Sequence, residues 1–475
     1  MLRATAPALA IAGIVAASTM VVAAFGREWR VAAVLAAAAL VLAGAAAAIR
    51  HWSEPSEAGR SGRLAQVAWM WLSLTLASAG VVAAVFVFAD TDAGGSALAD
   101  PWSVLFEMAS ATSTTGLTML ADPSQAAPWL QWFRSVLQWI GALGVVVFAV
   151  LVAEPSGDAD SLVGAQWSDT PGDNARETVE RVGAIFLVLT ATAIVGLLAV
   201  GEPAWRAVNH GLTAAATGGF AITSNSAAAS GPAAQVVLAV VILVSAVSFG
   251  TLWDIARRRG APLWKRTQLR FAAAITGAGI LASLLVNDGR AIGAVVFDSI
   301  SASTTAGFSI ASSTPGLPAI STVAIVSMLI GGAAGSTAGG IKVARFAWMA
   351  KAAKRWLPGG AQIDDEVSYT WDGDQVESGD ARVRVFGASA LIVTWLAVLA
   401  VGVIILAARN RLDPVGDVLF EAVSAASGVG LSSAVTAADN DAVTKATLST
   451  LMLAGRVEMT AFVVLATMPV RALTR

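Results

Sequence analysis

Long apolar stretches alternate with short polar ones along this chain, and their lengths predict membrane-spanning helices. A helix needs about 20 apolar residues to cross a bilayer. Ten stretches approach that length, at 6–25, 31–49, 65–89, 129–153, 180–201, 233–256, 270–287, 318–350, 385–408 and 446–470. Shorter semi-apolar stretches ending in Ser, Thr or Gly lie between several of them. Because these are too short and too polar to cross, we expect them to enter the membrane and turn back.

The composition supports a polytopic integral membrane protein. Only 13% of the 475 residues are charged, whereas 56% are hydrophobic, and a typical soluble domain has about 25% charged residues. The net charge of −2 provides no basic excess for a nucleic-acid partner. The absence of cysteine and the presence of only two histidines exclude thiolate and His-rich metal sites.

Basic residues indicate the orientation. If the N-terminus is cytoplasmic, most Lys and Arg residues lie in inner loops, as in the run Arg257–Arg259, and this agrees with the positive-inside rule. Two polar segments, 154–179 and 351–384, are then cytoplasmic. Because the second apolar stretch follows the first almost at once, we expect a hairpin of two spanning helices rather than a cleaved leader.

A fourfold repeat is the most informative feature of the sequence. Four glycines share a common pattern in which Ala stands five residues earlier, Ser or Thr six earlier and a polar residue nine earlier. The glycines are Gly116, Gly219, Gly307 and Gly430, and the polar residues are Glu107, His210, Asp298 and Glu421. The predicted fold is therefore all-α, with four pseudo-symmetric helix–pore-loop–helix repeats around one central pore. The predicted division is a hairpin (1–52), repeats at 63–153, 178–258, 267–350 and 385–475, and a cytoplasmic linker (351–384).

Four such loops meeting on one axis can form a selectivity filter. Backbone carbonyls and the partly negative ends of the short helices can replace the water shell of a monovalent cation, and glycine keeps side chains out of the pore. The candidate filter residues are Thr115, Gly116, Gly218, Gly219, Ala306, Gly307, Val429 and Gly430. We expect Glu107, Asp298 and Glu421 to attract cations to the mouth. The competing interpretation is close helix packing through small residues, but four copies at fixed offsets favour the pore.

Two features predict a gate. Five glycines and two hydroxyl residues crowd the stretch at 318–350, namely Gly331, Gly332, Gly335, Ser336, Thr337, Gly339 and Gly340. Since each glycine costs a helix about 1 kcal/mol relative to alanine, we expect a flexible intramembrane loop there, with a packing groove as the alternative. Arg456 lies deep in the last stretch, where a charge is costly and usually functional, and we expect a cationic barrier near the loop; a structural ion pair is the alternative.

These motifs resemble the TrkH/KtrB family of potassium transporters. The similar strings are STTGLT (113–118), HGLTAAATGGF (210–220), STTAGF (303–308), SGVGLS (427–432), GGAAGSTAGGIKVAR (331–345) and GRVE (455–458). The N-terminal hairpin is TrkH-like, whereas the fourth filter string is KtrB-like. The resemblance implies K⁺ uptake across the bacterial inner membrane, with K⁺ bound by the backbone carbonyls of Thr115, Gly116, Gly219, Gly307 and Gly430. It also implies a homodimer and a cytosolic nucleotide-binding RCK regulatory subunit (TrkA/KtrA-like). The chain itself has no nucleotide motif, and we expect a transporter without an organic cofactor rather than an enzyme.

Three alternatives remain open at this point. The first is a sodium-permeable member of the same superfamily, in which a serine at the first filter position accompanies Na⁺ permeation; here all four positions are glycine. The second is a proton-pumping redox subunit, which needs chains of buried ionisable residues that these apolar stretches almost completely lack. The third is the channel-like subunit of the potassium-pumping ATPase, which the chain resembles only in its glycine loops.

Overall fold

The computed structural model describes residues 1–53, 59–91, 95–153, 175–257, 262–287, 289–311, 318–354, 369–372, 374–457 and 459–473. Within these ranges it contains 17 α-helices and one two-stranded antiparallel sheet. The N-terminal hairpin consists of α1 (Leu2–Phe25) and α2 (Trp29–Trp52), and α1 packs against α3 and α5 of the first repeat.

Each repeat contains a long helix, a short buried helix, an irregular segment and a returning helical segment, which is one continuous helix only in the first repeat. The first comprises α3 (Arg60–Ala89), α4 (Pro101–Thr112) and α5 (Pro128–Ala153), and the second α6 (Ala175–Ala199), α7 (Ala204–Ala215), α8 (Pro232–Ser245) and α9 (Phe249–Ala256). The third comprises α10 (Thr267–Leu285), α11 (Ile292–Thr304), α12 (Pro318–Ile330) and α13 (Val343–Ala353), and the fourth α14 (Ser378–Arg409), α15 (Val415–Ser427), α16 (Ala442–Arg456) and α17 (Met459–Leu473). The short helices α4, α7, α11 and α15 end in the Ser/Thr/Gly strings that predicted re-entrant segments.

Apart from 318–350, where a loop was expected, two of the expected spanning stretches are not continuous helices. The stretch 233–256 bends by 102° between α8 and α9, and 446–470 bends by 116° between α16 and α17. Six described helices are long and apolar enough to cross a membrane, and the number rises to eight if each bent pair counts as one span. The prediction of one unbroken helix in these two stretches is therefore wrong, and residues at both breaks contact the glycine loop of the third repeat.

An ion pair between a buried lysine and a partly exposed aspartate joins the first and the last repeat. Lys445, at the start of α16, is 3% exposed, and its Nζ donates to Asp100 Oδ2 at 2.9 Å and to the Ala438 carbonyl oxygen at 2.7 Å. Asp100 is also the N-cap of α4, where its carboxylate accepts from the N–H of Ser103. The contact thus fixes the outer ends of α4 and α16 to each other.

A small hairpin occupies part of the polar segment predicted at 351–384. Strands β1 (Tyr369–Trp371) and β2 (Asp374–Val376) pair antiparallel, and Trp371 stacks on Trp348 of α13 with ring centroids 4.6 Å apart. Helix α14 begins at Ser378, several residues before the predicted apolar stretch. Residues 154–174 and 355–368 of the two predicted polar segments lie outside the described residues.

Candidate functional site

The four predicted filter glycines lie against one another in a closed cycle. A Cβ atom built on each would overlap the carbonyl oxygen of the residue that precedes the next glycine. The contacts run from Gly116 to Gly218, from Gly219 to Ala306, from Gly307 to Val429 and from Gly430 to Thr115. Their φ angles are 97°, 69°, 75° and 91° in chain order, a region that favours glycine. Both the close approach and the backbone conformation therefore require glycine here, and the four loops share one central constriction.

Each short helix ends in the same turn, which reverses the chain towards the constriction. The residue two before each glycine is left-handed, with φ of 59° at Thr114, 48° at Thr217, 55° at Thr305 and 64° at Gly428. The next residue donates its N–H to the carbonyl five positions earlier at 2.9 Å, in the pairs Thr115–Ser110, Gly218–Thr213, Ala306–Ser301 and Val429–Ser424. This is a Schellman ending. It places the negative end of each helix dipole next to the filter loop.

The repeated Ser or Thr six residues before the glycine supports the filter backbone in three repeats. The Ser110 hydroxyl accepts from the N–H of Gly116 at 3.0 Å, and the Ser424 hydroxyl accepts from the N–H of Gly430 at 3.1 Å. In the second repeat, Thr213 instead donates to the Phe220 carbonyl oxygen at 2.9 Å. This position therefore tethers the loop to its own helix.

The polar residue nine before each glycine binds the segment that leaves the filter. In every repeat it accepts the backbone N–H of the third residue after the glycine. The pairs are Glu107–Met119 (2.9 Å), His210–Ile222 (3.3 Å), Asp298–Ile310 (2.8 Å) and Glu421–Ser433 (2.8 Å). Glu107 and Glu421 are fully buried. The three carboxylates expected at the pore mouth thus point towards the segment that leaves the filter, because the backbone N–H groups of this irregular segment need acceptors.

Two residues of α5 that the sequence analysis did not select contact the same loops. Arg134 forms a buried ion pair with Glu107 (Nε to Oε1, 2.6 Å), and its guanidinium lies 4.0 Å from the centroid of the Phe220 ring. Gln138, one turn further along α5, contacts the filter loop of the second repeat. The available signal was a pair of polar residues with i, i+4 spacing in an otherwise apolar helix.

The predicted gate loop, residues 331–342 between α12 and α13, lies against the C-terminal ends of three short helices. Residues 331–338 are buried, and Gly331, Gly335 and Gly340 have φ of 70°, 74° and 77°. The contacts are Gly340 N–H to the Ser427 carbonyl oxygen (2.9 Å), Gly339 N–H to Thr305 Oγ1 (2.6 Å) and Thr217 Oγ1 to Thr337 Oγ1 (3.2 Å). The loop therefore underlies the filter turns of the second, third and fourth repeats.

The same loop explains the break between α8 and α9. The Ala246 carbonyl oxygen accepts from the N–H of Ala333 at 3.1 Å, and the N–H of Phe249 donates to the Gly335 carbonyl oxygen at 2.8 Å. The remaining gate candidates complete the loop: Ser336 donates to the Ala333 carbonyl oxygen at 2.7 Å, and Gly332 packs on Ala338. Backbone groups freed by the helix break are thus satisfied by the loop.

Arg456 connects the last long helix to this loop. Its Nη1 donates to the Thr337 carbonyl oxygen and its Nη2 to the Gly141 carbonyl oxygen, each at 3.0 Å. Helix α16 ends at Arg456, so the charge lies at a helix break rather than in a continuous span. Glu458, the other charged residue of this stretch, lies outside the described residues.

Known protein families provide a comparison that agrees with these features. The family model for TrkH, described as a cation transport protein, matches residues 67–166 and 267–474. This chain belongs to the TrkH family. The resemblance predicted from the filter strings is thereby confirmed, and so is the expectation of a transporter rather than an enzyme.

Curated TrkH relatives align over part of their length. The Trk system potassium uptake protein TrkH of Halomonas elongata is 28% identical over 278 residues, which are 55% of this chain and 57% of that protein. The TrkH protein of Salmonella typhimurium is 26% identical over 336 residues, covering 65% of this chain and 70% of the relative. The chain thus spans little more than half of the first of these relatives and more than two thirds of the second.

A solved structure confirms the fold. The crystal structure of the potassium transporter TrkH from Vibrio parahaemolyticus superposes with a TM-score of 0.80, covering 99% of this chain and 98% of that chain, at 23% sequence identity. The all-α membrane architecture predicted from the repeats is therefore correct.

Proposed function

We propose that this TrkH-family protein mediates K⁺ uptake through a filter formed by Thr115, Gly116, Gly218, Gly219, Ala306, Gly307, Val429 and Gly430. The observation that carries the proposal is the closed cycle in which each of the four glycines meets the carbonyl preceding the next. Backbone carbonyls at such a constriction can replace the hydration shell of a large alkali ion. The four short-helix ends add negative potential there.

The gate in this proposal is the loop at Gly331–Gly340 together with Arg456. The loop is held by backbone and hydroxyl contacts to Ser427, Thr305 and Thr217, at the ends of three of the four short helices. An ion leaving the filter on this side meets the loop, and the guanidinium that binds it adds a positive charge to the barrier. Displacing the loop opens the path.

The proposal also includes the assembly in which the protein works. The names of the relatives place them in a Trk system of potassium uptake, and this supports a membrane protein that works within such a system. The resemblance of the filter and loop strings to the TrkH/KtrB family is the basis for adding a cytosolic nucleotide-binding RCK partner, a homodimer and a location in the bacterial inner membrane. We expect such a partner to bind near the two polar segments predicted to be cytoplasmic, 154–179 and 351–384. K⁺ is the transported substrate, and the nucleotide belongs to the partner.

The experiment is Rb⁺ uptake in a potassium-transport-deficient bacterium that expresses this chain with and without its RCK partner. We expect the chain to support Rb⁺ uptake and growth at low K⁺. When the partner is present, we expect it to regulate the rate of uptake. Purified protein in K⁺-loaded liposomes provides the direct measurement. Flux of Na⁺ equal to that of Rb⁺ would favour the sodium-permeable alternative, and no alkali-ion flux with partner and nucleotide supplied would refute the proposal.

A further inference from the structure

Gln138 holds the filter loop of the second repeat from behind. Its side chain is fully buried. Its Nε2 donates to the Gly218 carbonyl oxygen at 2.6 Å, and its Oε1 accepts from the N–H of Phe220 at 3.2 Å. The carboxamide therefore brackets Gly219, and it lies where a Cβ on Gly218 would be. The two bonds also define the amide orientation, because the reverse orientation would oppose two acceptors and two donors.

The other three repeats have no such residue. The residue 22 positions after the filter glycine is Gln138 in the first repeat and Val241, Leu329 and Met452 in the others. Across the described ranges, no side chain donates to the corresponding carbonyl oxygens of Thr115, Ala306 and Val429. Of these four equivalent carbonyls, only that of Gly218 has an amide partner.

We propose that Gln138 sets the ion preference of the filter by sharing the Gly218 carbonyl with the ion. Three carbonyls of the ring then have no side-chain donor among the described residues. The fourth, that of Gly218, is fixed in position by the amide of Gln138, and the amide dipole reduces the electric field of this carbonyl at the ion. Field strength and ligand number are the two quantities through which a carbonyl ring can distinguish K⁺ from Na⁺. Gln138 is thus a positioning residue for selectivity, and this inference rests on the proposed filter.

Two variants test the two hydrogen bonds of Gln138. Gln138→Leu removes both hydrogen bonds at similar volume. Gln138→Glu keeps an acceptor for Phe220, but when ionised it cannot donate to Gly218, whereas a protonated carboxyl can. The matched control is Gln131→Leu on the same helix, because Gln131 is also buried but binds the Pro123 carbonyl and Trp205, away from the filter.

The readout is the ratio of Rb⁺ to Na⁺ uptake in proteoliposomes, measured from roughly pH 5 to 9 because a buried Glu can titrate anywhere in that range. We expect Gln138→Leu to lower the ratio about fivefold at every pH, an effect within the worth of one hydrogen bond. For Gln138→Glu we expect the parent ratio at the acid end and a similar loss at the alkaline end. The charged groups nearby are Arg134, Glu107 and Arg456. Parent and variants share them, so the pH dependence of the parent ratio shows what these groups contribute.

The outcomes are distinct. A Gln138→Leu ratio equal to that of Gln131→Leu overturns the inference, as does a Gln138→Glu ratio that stays at the parent value at all pH values. If Gln138→Leu is not recovered as folded protein, the nearly isosteric Gln138→Glu decides alone. A parent protein without Rb⁺ flux refutes the proposed function itself, whereas a selective parent with unaffected variants refutes only the role of Gln138.

Discussion

The guanidinium of Arg456 binds the backbone of Thr337, with Nη1 3.0 Å from the carbonyl oxygen. Through this contact, the break between α16 and α17 is tied to the intramembrane loop of a different repeat. The second Nη group binds Gly141 of α5, so one side chain connects the first, third and fourth repeats below the filter. This is the contact on which the gating proposal can be tested most directly.

Replacing Arg456 with alanine should raise resting Rb⁺ flux in proteoliposomes without partner or nucleotide. The change removes two hydrogen bonds from a charged group, each worth about 1.5–3 kcal/mol, and also the positive charge of the barrier. Since about 1.4 kcal/mol is a factor of ten, the loss of even one of these bonds corresponds to about tenfold, and we expect an increase of at least that size. Arg456→Lys keeps the charge and one donor and should give a smaller increase. Closed-state flux equal to that of the parent in both variants would contradict the gating role.

Gly339→Ala should also raise resting flux, for a steric reason. A Cβ at this position would overlap the Ser427 carbonyl oxygen at the end of the fourth short helix, so the loop must move away from the filter. The control is Gly277→Ala on α10, where a Cβ meets nothing within 4 Å. The interpretation fails if the two variants conduct alike.

Gly116→Ser should increase the permeability of Na⁺ relative to K⁺. The side chain would collide with the Gly218 carbonyl at a φ of 97°, so the filter ring must distort. Gly428→Thr is the internal control. The other three repeats have Thr114, Thr217 and Thr305 at this position with φ of 48–59°, and a Cβ on Gly428 has its nearest neighbour at 3.7 Å. Reversal potentials that are equal in the two variants would show that Gly116 does not line the filter.

Glu107→Gln should destabilise the protein by about 3 kcal/mol, because it leaves the charge of Arg134 buried and unpaired. The measurement is thermal unfolding in detergent. Glu107→Gln combined with Arg134→Met should cost less than the sum of the single changes, which reveals the coupling. Glu180→Gln is the control, since its ion pair with Arg176 is exposed, at 62% and 89% of the two side chains, and such pairs contribute less than about 1 kcal/mol. Strictly additive changes would argue against a coupled pair.

The repeat architecture could be predicted from the sequence because the residues of the fourfold pattern contact the backbone of their own repeat. The polar residue nine before each glycine, and in three repeats the Ser or Thr six before it, bind the segment of their own repeat, so their roles follow from spacing along one repeat. The inward direction of Glu107 could not be predicted in this way, since its partner Arg134 belongs to another helix.

The individual partners across repeats could not be read from the sequence. Gln138 acts on Gly218, 80 positions away. The position of Arg456 near the glycine loop was expected, but its partner Thr337, 119 positions away, was not identified. The two helix breaks had the same origin: α8 ends where the glycine loop takes over its hydrogen bonds, and α16 ends at the arginine that binds that loop. The pattern of apolar residues identifies neither the glycine loop nor Arg456 as a partner, because it shows only which residues avoid water.

The ion pair of Asp100 and Lys445 has a consequence for biogenesis. The two residues are separated by 345 positions, so α4 emerges from the ribosome long before the lysine that will neutralise its capping carboxylate. Domains form as their contacts become available during synthesis, and the seam between the beginning and the end of this polypeptide can close only when α16 has entered the bilayer. A chain that stops before α16 therefore leaves the fourth repeat unfinished and the capping carboxylate of Asp100 without its lysine.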